Sequence, residues 1–232
     1  MLVIKGLKKI YGDKIVLNGV NLQIKRNQIC GLLGLNGSGK STLMKIICGL
    51  TRADEGEIFI NGQLLNFNNP PKTVGAMIEA PAFYGELTGR QNLEVFRLLC
   101  PNVPKKNIEE VLKLVGLIYN ADMPYKKYSL GMKQRLYFAF ALLKKPELLI
   151  LDEPFANIDP VSVKLFEDII KSLAENGCAV LISGHIIAEM KNICDCAAIL
   201  DCGTIVRSID NVANSDLENT FLSSVKRSGD VL

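Results

Sequence analysis

One octapeptide limits the folds open to this chain more than anything else in it. Gly34-Leu35-Asn36-Gly37-Ser38-Gly39-Lys40-Ser41 fits the pattern G-x-x-x-x-G-K-[ST] at every fixed position. The run before it, Gln28 to Leu33, is short and apolar, as a buried strand is. The run after it has helical spacing and ends at Gly49, a residue suited to a helix C-terminus. A strand that passes through glycines into a helix makes a cradle for phosphate. The glycines let successive N–H groups curl inward, and the helix start adds its positive end. Lys40 is placed to reach the β- and γ-phosphates of a nucleotide, and the Ser41 hydroxyl to reach Mg²⁺. A chance match in a chain of 232 residues is about 1% at ordinary residue frequencies. The predicted nucleotide-binding set here is Gly34, Leu35, Asn36, Gly37, Ser38, Gly39, Lys40, Ser41 and Thr42.

The remaining pattern predicts an α/β fold around that loop. Residues 2–24 alternate short apolar runs with turn signals at Gly12-Asp13 and Asn18-Gly19, which predicts antiparallel strands. Glu57 to Leu65 reads as a hairpin turning at Asn61-Gly62. Residues 88–145 carry helical spacing, with Pro101 and Pro104 between the first two helices and Pro146 after the third. Strands and helices then alternate: Glu147 to Asp152, a helix from Asp159-Pro160 to Asn176-Gly177, a strand at Cys178 to Ser183, a helix at Ile186 to Cys194, and a hairpin over Ala197 to Ile209. This order predicts a mostly parallel sheet. We expect a single domain over 1–232. Residues 1–79 and 146–209 form its core with an antiparallel β subdomain, 80–145 form an inserted helical subdomain, and 210–232 form a polar tail with little signal.

The strand Leu148 to Leu151 ends in Asp152-Glu153. An apolar strand ending in carboxylates is the second half of a P-loop hydrolase site. Asp152 is expected to hold Mg²⁺, and Glu153 to orient or deprotonate the attacking water. Without the phosphate loop, an acidic turn after a strand would be an equal reading.

Three further segments narrow the class. Lys126 to Leu136, KKYSLGMKQRL, resembles the signature sequence of ATP-binding cassette (ABC) proteins, with Leu130 in place of its first signature Gly and Met132 in place of the usual Gln. Asp152 to Pro160, DEPFANIDP, is similar to the family's acidic strand end and the loop after it, and Leu181 to Met190, LISGHIIAEM, is similar to its switch region. The N-K-x-D of GTPases is missing. The resemblance runs from Leu2 to about Ile209 with motif order and spacing in agreement. It implies an ABC ATP-binding domain that hydrolyses ATP with Mg²⁺. It further implies that Tyr11 stacks on adenine, that His185, the chain's one histidine, is catalytic beside Glu153, and that Ser129, Gly131 and Asp159 act in trans across a head-to-tail dimer of two ATP-binding subunits.

Glu79 is a carboxylate among apolar residues, followed by Pro81, Phe83 and Tyr84. In the family this loop normally carries a Gln that contacts Mg²⁺ and the water. The stretch IEAPAFYGELTGRQNL resembles exporters that protect cells against lantibiotics and bacitracin, and the lantibiotic-immunity branch has Glu here. Glu79 is therefore expected beside Ser41 and Asp152 as a third metal contact. The alternative is a solvated loop carboxylate.

Charge and apolarity fit this reading. A net charge of +3 forms no basic stripe, so no nucleic-acid partner is expected. No run of about 18 uncharged apolar residues occurs, and the start MLVIKGLKKIYG has no signal-peptide core. The permease is then expected on separate transmembrane subunits, with this chain cytoplasmic and peripheral on the inner face of the membrane. The expected function is to energise export of lantibiotic-type peptides. The alternatives are export of bacitracin or another drug and, in a different class, a soluble ABC ATPase acting on ribosomes or DNA. Cys194, Cys196 and Cys202 cluster in sequence, but no C-x-x-C pair occurs among the seven cysteines, and they read as reduced thiols acting as small apolar side chains.

Overall fold

In the computed structural model of the chain, residues 1–68, 73–79, 81–100 and 102–226 are described. Its strands are β1 (Leu2–Tyr11), β2 (Lys14–Ile24), β3 (Ile29–Leu33), β4 (Glu55–Ile60), β5 (Gln63–Leu64), β6 (Val74–Met77), β7 (Leu148–Leu151), β8 (Ala179–Gly184), β9 (Cys196–Asp201) and β10 (Thr204–Ile209). Its α-helices are α1 (Lys40–Ile47), α2 (Gly89–Leu98), α3 (Lys106–Leu114), α4 (Leu130–Leu142), α5 (Pro160–Glu175), α6 (Ile187–Ile193) and α7 (Leu217–Lys226).

Two sheets follow from the patterning. β1 and β2 pair antiparallel from Leu2↔Ile24 to Tyr11↔Lys14, and β4 and β5 extend the sheet in the order β2-β1-β4-β5. The β4–β5 turn is tight because Asn61 and Gly62 both take positive φ, 52° and 76°. The second sheet has the order β10-β9-β3-β8-β7-β6. Its strands run parallel except β10, which folds back on β9. The predicted α/β fold with antiparallel and mostly parallel sheets is the one observed.

Strand alternation then divides the apolar side chains between two cores. Leu32, Leu148, Ile150, Leu181 and Leu200 face the antiparallel sheet and α1. Leu33, Leu149, Leu151, Val180, Ile182 and Ile199 face the helices beneath. Burial on both faces explains why these strands read as continuous apolar runs rather than alternating ones.

The segment between β6 and β7 is helical. Thr88 opens α2 with a capping box, its hydroxyl accepting from the Gln91 N–H and its own N–H donating to the Gln91 side chain. Ser129 caps α4 by accepting from the Met132 N–H at 3.3 Å. Pro101, expected between the first two helices, lies outside the described residues. The polar tail, which carries little sequence signal, contains α7. Buried Val212, Leu217 and Phe221 join the core there, and three anchors in a polar stretch leave little periodicity to read. Cys194, Cys196 and Cys202 do not converge: Cys194 lies in the lower core, Cys196 in the upper, and Cys202 is exposed at the β9–β10 turn.

Candidate functional site

The C-terminal ends of four neighbouring parallel strands meet along one edge. β3 runs into Gly34, β8 into His185, β7 into Asp152 and β6 into the loop holding Glu79. In open parallel sheets this edge is where ligands bind.

The phosphate loop is shaped by its glycines. Gly37 and Gly39 take φ of 81° and 111°, where a side chain is strained. A Cβ on Gly34 would collide with the Leu200 carbonyl and the Ser38 hydroxyl. The loop is also braced from behind: Asn18 N–H donates to Gly203 O at 2.8 Å, and Gly203 N–H to Ser38 O at 3.1 Å. Leu35, Asn36 and Gly37 form an exposed tip, Gly34, Ser38, Gly39 and Lys40 are buried, Ser41 is exposed and Thr42 half-buried. Lys40 Nζ donates to the carbonyls of Gly34 at 2.8 Å and Leu35 at 3.2 Å. Its pKa is lowered by desolvation, with Glu153 and Asp152 opposing that shift. A desolvated cation held by two neutral carbonyls has its charge incompletely compensated, which suits it to an incoming phosphate.

The acidic pair is set by a residue that sequence reading left without a role. Ser183, fully buried near the end of β8, donates its hydroxyl to Asp152 Oδ1 at 2.5 Å and accepts the Glu153 N–H at 2.9 Å. Asp152 N–H donates to Met77 O at 2.7 Å, which ties the turn to β6. Glu153 has φ of 47°, in the left-handed region uncommon for residues with a side chain. Its carboxylate lies 3.9 Å from Lys40 Nζ and 3.3 Å from His185 Nδ1. The structure thus brings Lys40, Asp152, Glu153 and His185 together. The one sequence signal for Ser183 was a hydroxyl near the end of an otherwise apolar strand.

Glu79 faces Lys45 of α1, with Oε1 and Nζ 2.5 Å apart. That pair raises the pKa of Lys45, and Tyr11 and Asp152 add to the effect. The compensating positive charge for this exposed carboxylate therefore comes from a lysine one helical turn beyond Ser41. Tyr137 of α4 donates its hydroxyl to the Glu79 carbonyl, linking this loop to the helical segment. Tyr11, half-exposed at the end of β1, has Lys9 Nζ 5.0 Å from its ring centroid.

Ser129, Gly131 and Asp159 form a second group. Asp159 caps α5 by accepting the Ser162 N–H at 2.9 Å and the Ser162 hydroxyl at 2.6 Å. Those bonds hold its carboxyl below the ordinary range. Arg135 of α4 donates twice to the Ser162 oxygen, at 3.1 and 2.9 Å. A Cβ on Gly131 would stand 3.3 Å from Asp159 Oδ2, so the start of α4 packs directly on this loop. Among the described residues, the Ser129 hydroxyl is bonded only to the Met132 N–H of α4, and the Asp159 carboxylate only to Ser162.

Residues 17–156 match the ABC transporter family. The chain belongs to that family. It is 36% identical over 225 residues to the lantibiotic transport ATP-binding protein SrtF of Streptococcus pyogenes, covering 97% of each chain. It is 37% identical over 209 residues to the bacitracin transport ATP-binding protein BcrA of Enterococcus faecalis, covering 89% of this chain and 68% of that one. A solved ATP-binding subunit of an ABC transporter superposes with TM-score 0.86 at 27% identity, over 97% of this chain and 99% of that one. A dimeric structure of MJ0796, a bacterial ABC transporter cassette, superposes with TM-score 0.82 at 25% identity, over 90% and 98%. The chain is thus an ATP-binding, ATP-hydrolysing ABC subunit. Among its described residues, no helix is long and apolar enough to cross a membrane.

Proposed function

We propose that this ABC subunit energises export of a lantibiotic-type antimicrobial peptide and so confers self-immunity. The single observation that carries the ATPase mechanism is the cluster in which Glu153 lies 3.9 Å from Lys40 and 3.3 Å from His185. Residues Gly34 to Thr42 wrap the phosphates, and Tyr11 stacks on adenine. Lys40 exchanges its carbonyl partners for phosphate oxygens, and Glu153 accepts a proton from the attacking water as His185 positions water and γ-phosphate. Ser41, Asp152 and Glu79 are the residues that would hold Mg²⁺, which when bound neutralises charge on the β- and γ-phosphates. Ser183 supports the fit, since it fixes one oxygen of Asp152. Lys45 engages one oxygen of Glu79, Oε1, so the other would be the one offered to such a set.

The second site group supports a dimer. Among the described residues, Ser129 and Asp159 bond to Met132 and Ser162 and not to this chain's own phosphate loop, which suits a head-to-tail pair in which a second cassette would bring its copies of Ser129, Gly131 and Asp159 to that loop. ATP would hold the two together, and hydrolysis would release them. The helical segment 80–145 forms a subdomain that docks on separate permease subunits, which places the protein on the inner face of the membrane. Similarity to SrtF over nearly full length supports the peptide reading, and similarity to BcrA supports bacitracin or a related drug as the alternative cargo. Mixing a Ser129→Ala variant with a Lys40→Ala variant tests the dimer. One composite site then keeps both motifs, and partial ATPase should return; activity no higher than either parent refutes it. Co-purification tests the setting: a hydrophobic membrane subunit supports transport, while ribosomes or DNA would move the protein to the other class.

A further inference from the structure

The cysteines that cluster in sequence disperse in the fold, whereas two that are 166 positions apart meet. Cys30 of β3 and Cys196 of β9 are direct partners in the parallel register. Both point into the core between the two sheets, 2% and 8% exposed. A cavity of about 340 Å³ opens onto both, walled by Ile4 of β1, Leu22 of β2 and Ile209 of β10. The neighbouring Cys196 and burial push the Cys30 thiol well above its ordinary range, and Cys30 holds Cys196 below it; the Cys30 thiol itself donates to the Gly31 carbonyl at 3.9 Å.

The spacing decides what such a pair can do. Neighbouring strands stand about 4.8 Å apart, while a disulfide needs a Cβ–Cβ separation of about 3.8 Å. β3 cannot lean toward β9, because β8 holds it on its other side, as β10 holds β9. A direct S–S bond is therefore disfavoured, and an atom inserted between the sulfurs fits better. Among the described residues, no three His, Cys, Asp or Glu side chains converge as metal ligands. That excludes the four-coordinate set zinc requires and leaves soft ions satisfied by two thiolates.

We propose that Cys30 and Cys196 form a two-thiolate site for a soft thiophilic species, of the class of Cu(I) or a trivalent organoarsenical. With phenylarsine oxide, the arsenic–oxygen bonds break and two As–S bonds form. The two thiol protons leave with that oxygen as water, and no oxidant is needed. β3 leads into the phosphate loop, and β9 into the Gly203 turn that braces Ser38. A bridge here therefore spans both supports of the nucleotide site.

The test uses the full chain, folded and reduced, with phenylarsine oxide as probe. Intact mass should show one adduct per chain, and digestion should show it joining the Cys30 and Cys196 peptides. The adduct should disappear in Cys30→Ala and in Cys196→Ala, and persist in Cys202→Ala. The probe should also raise the melting temperature of the parent protein and leave that of Cys196→Ala unchanged, by ligand linkage. If Cys30→Ala fails to fold, the digest and Cys196→Ala still decide. No adduct, or an adduct surviving in Cys196→Ala, overturns the proposal. Titration with Cu(I) against a chromogenic chelator should likewise show one equivalent captured by the parent and none by Cys196→Ala; capture by both overturns the Cu(I) assignment.

Discussion

Ser183→Ala is the most informative single change, because one buried oxygen serves both acidic residues. It donates to Asp152 at 2.5 Å and accepts from the Glu153 N–H at 2.9 Å. A hydrogen bond to a charged group contributes about 1.5–3 kcal/mol, and an orphaned buried N–H costs about 1–3 kcal/mol. Because the two losses share one atom they will not add fully, so the expected destabilisation is about 2–5 kcal/mol. For a domain of this size each kcal/mol lowers Tm by about 2–4 °C, so the midpoint should fall by about 4–20 °C. Turnover should fall as well. Glu153 sits at φ 47° with its N–H on Ser183. Once released, the backbone can relax and move the carboxylate, and displacement of about 1 Å at a reacting group costs up to about a hundredfold. The assays are thermal melting and ATPase per folded molecule, with Ser183→Cys as a near-isosteric control keeping a weak donor. A wild-type Tm and wild-type turnover in Ser183→Ala would refute the reasoning. A lower Tm with unchanged turnover per folded molecule would show that Ser183 supports the strand but does not position Glu153.

Glu153→Gln should keep ATP binding, lose turnover and accumulate an ATP-bound dimer by size-exclusion chromatography; wild-type hydrolysis removes Glu153 from its role. Lys40→Ala should weaken ATP binding about tenfold or more, since a charge-assisted phosphate contact contributes about 1.5–3 kcal/mol, and calorimetry giving unchanged affinity contradicts the phosphate-loop reading. His185→Ala should cut hydrolysis strongly with little change in Tm, because the side chain is 54% exposed and contributes little packing; a lower Tm with retained activity per folded molecule makes it structural. Glu79→Gln should still bind nucleotide and hydrolyse it, Glu79→Ala should do worse, and peptide resistance in the assembled transporter should fall more than isolated ATPase. Wild-type behaviour of both variants in both assays leaves Glu79 a solvated carboxylate.

Much of this was legible in the residues because the phosphate loop is local. Its glycines, its lysine and the helix after it are contiguous, so pattern and geometry coincide. The parallel strands were legible for a related reason: burial on both faces leaves unbroken apolar runs such as Leu148 to Leu151. What escaped were contacts across sequence distance. Ser183 meets Asp152 from 31 positions away, and Arg135 meets Ser162 from 27. No local periodicity encodes either; both follow from which strands and helices become neighbours. Lys45 escaped differently. Its place on α1 was readable, but a partner beyond three further strands was not, so Glu79 was expected to find its positive charge on a metal. The tail helix was missed because its few buried side chains leave an otherwise polar stretch.

The edge formed by β3, β8, β7 and β6 has the character of a comb. Its teeth stand about 4.8 Å apart, so the outer two strand ends, which lead into the phosphate loop and the Glu79 loop, are held about 14 Å from each other by backbone hydrogen bonds, and the loops themselves curl inward until Lys45 of α1 meets Glu79. Loops beyond the teeth can change in sequence, as Glu79 itself illustrates, without altering that pitch. Tooth length is another matter. Removing one residue from β7 would retract Asp152 by about 3.3 Å and turn alternate side chains to the opposite face. Leu148 and Ile150 would then exchange cores with Leu149 and Leu151. Point substitutions at the tips can therefore vary the chemistry, while a change in the number of residues in any of these strands would disturb both cores at once.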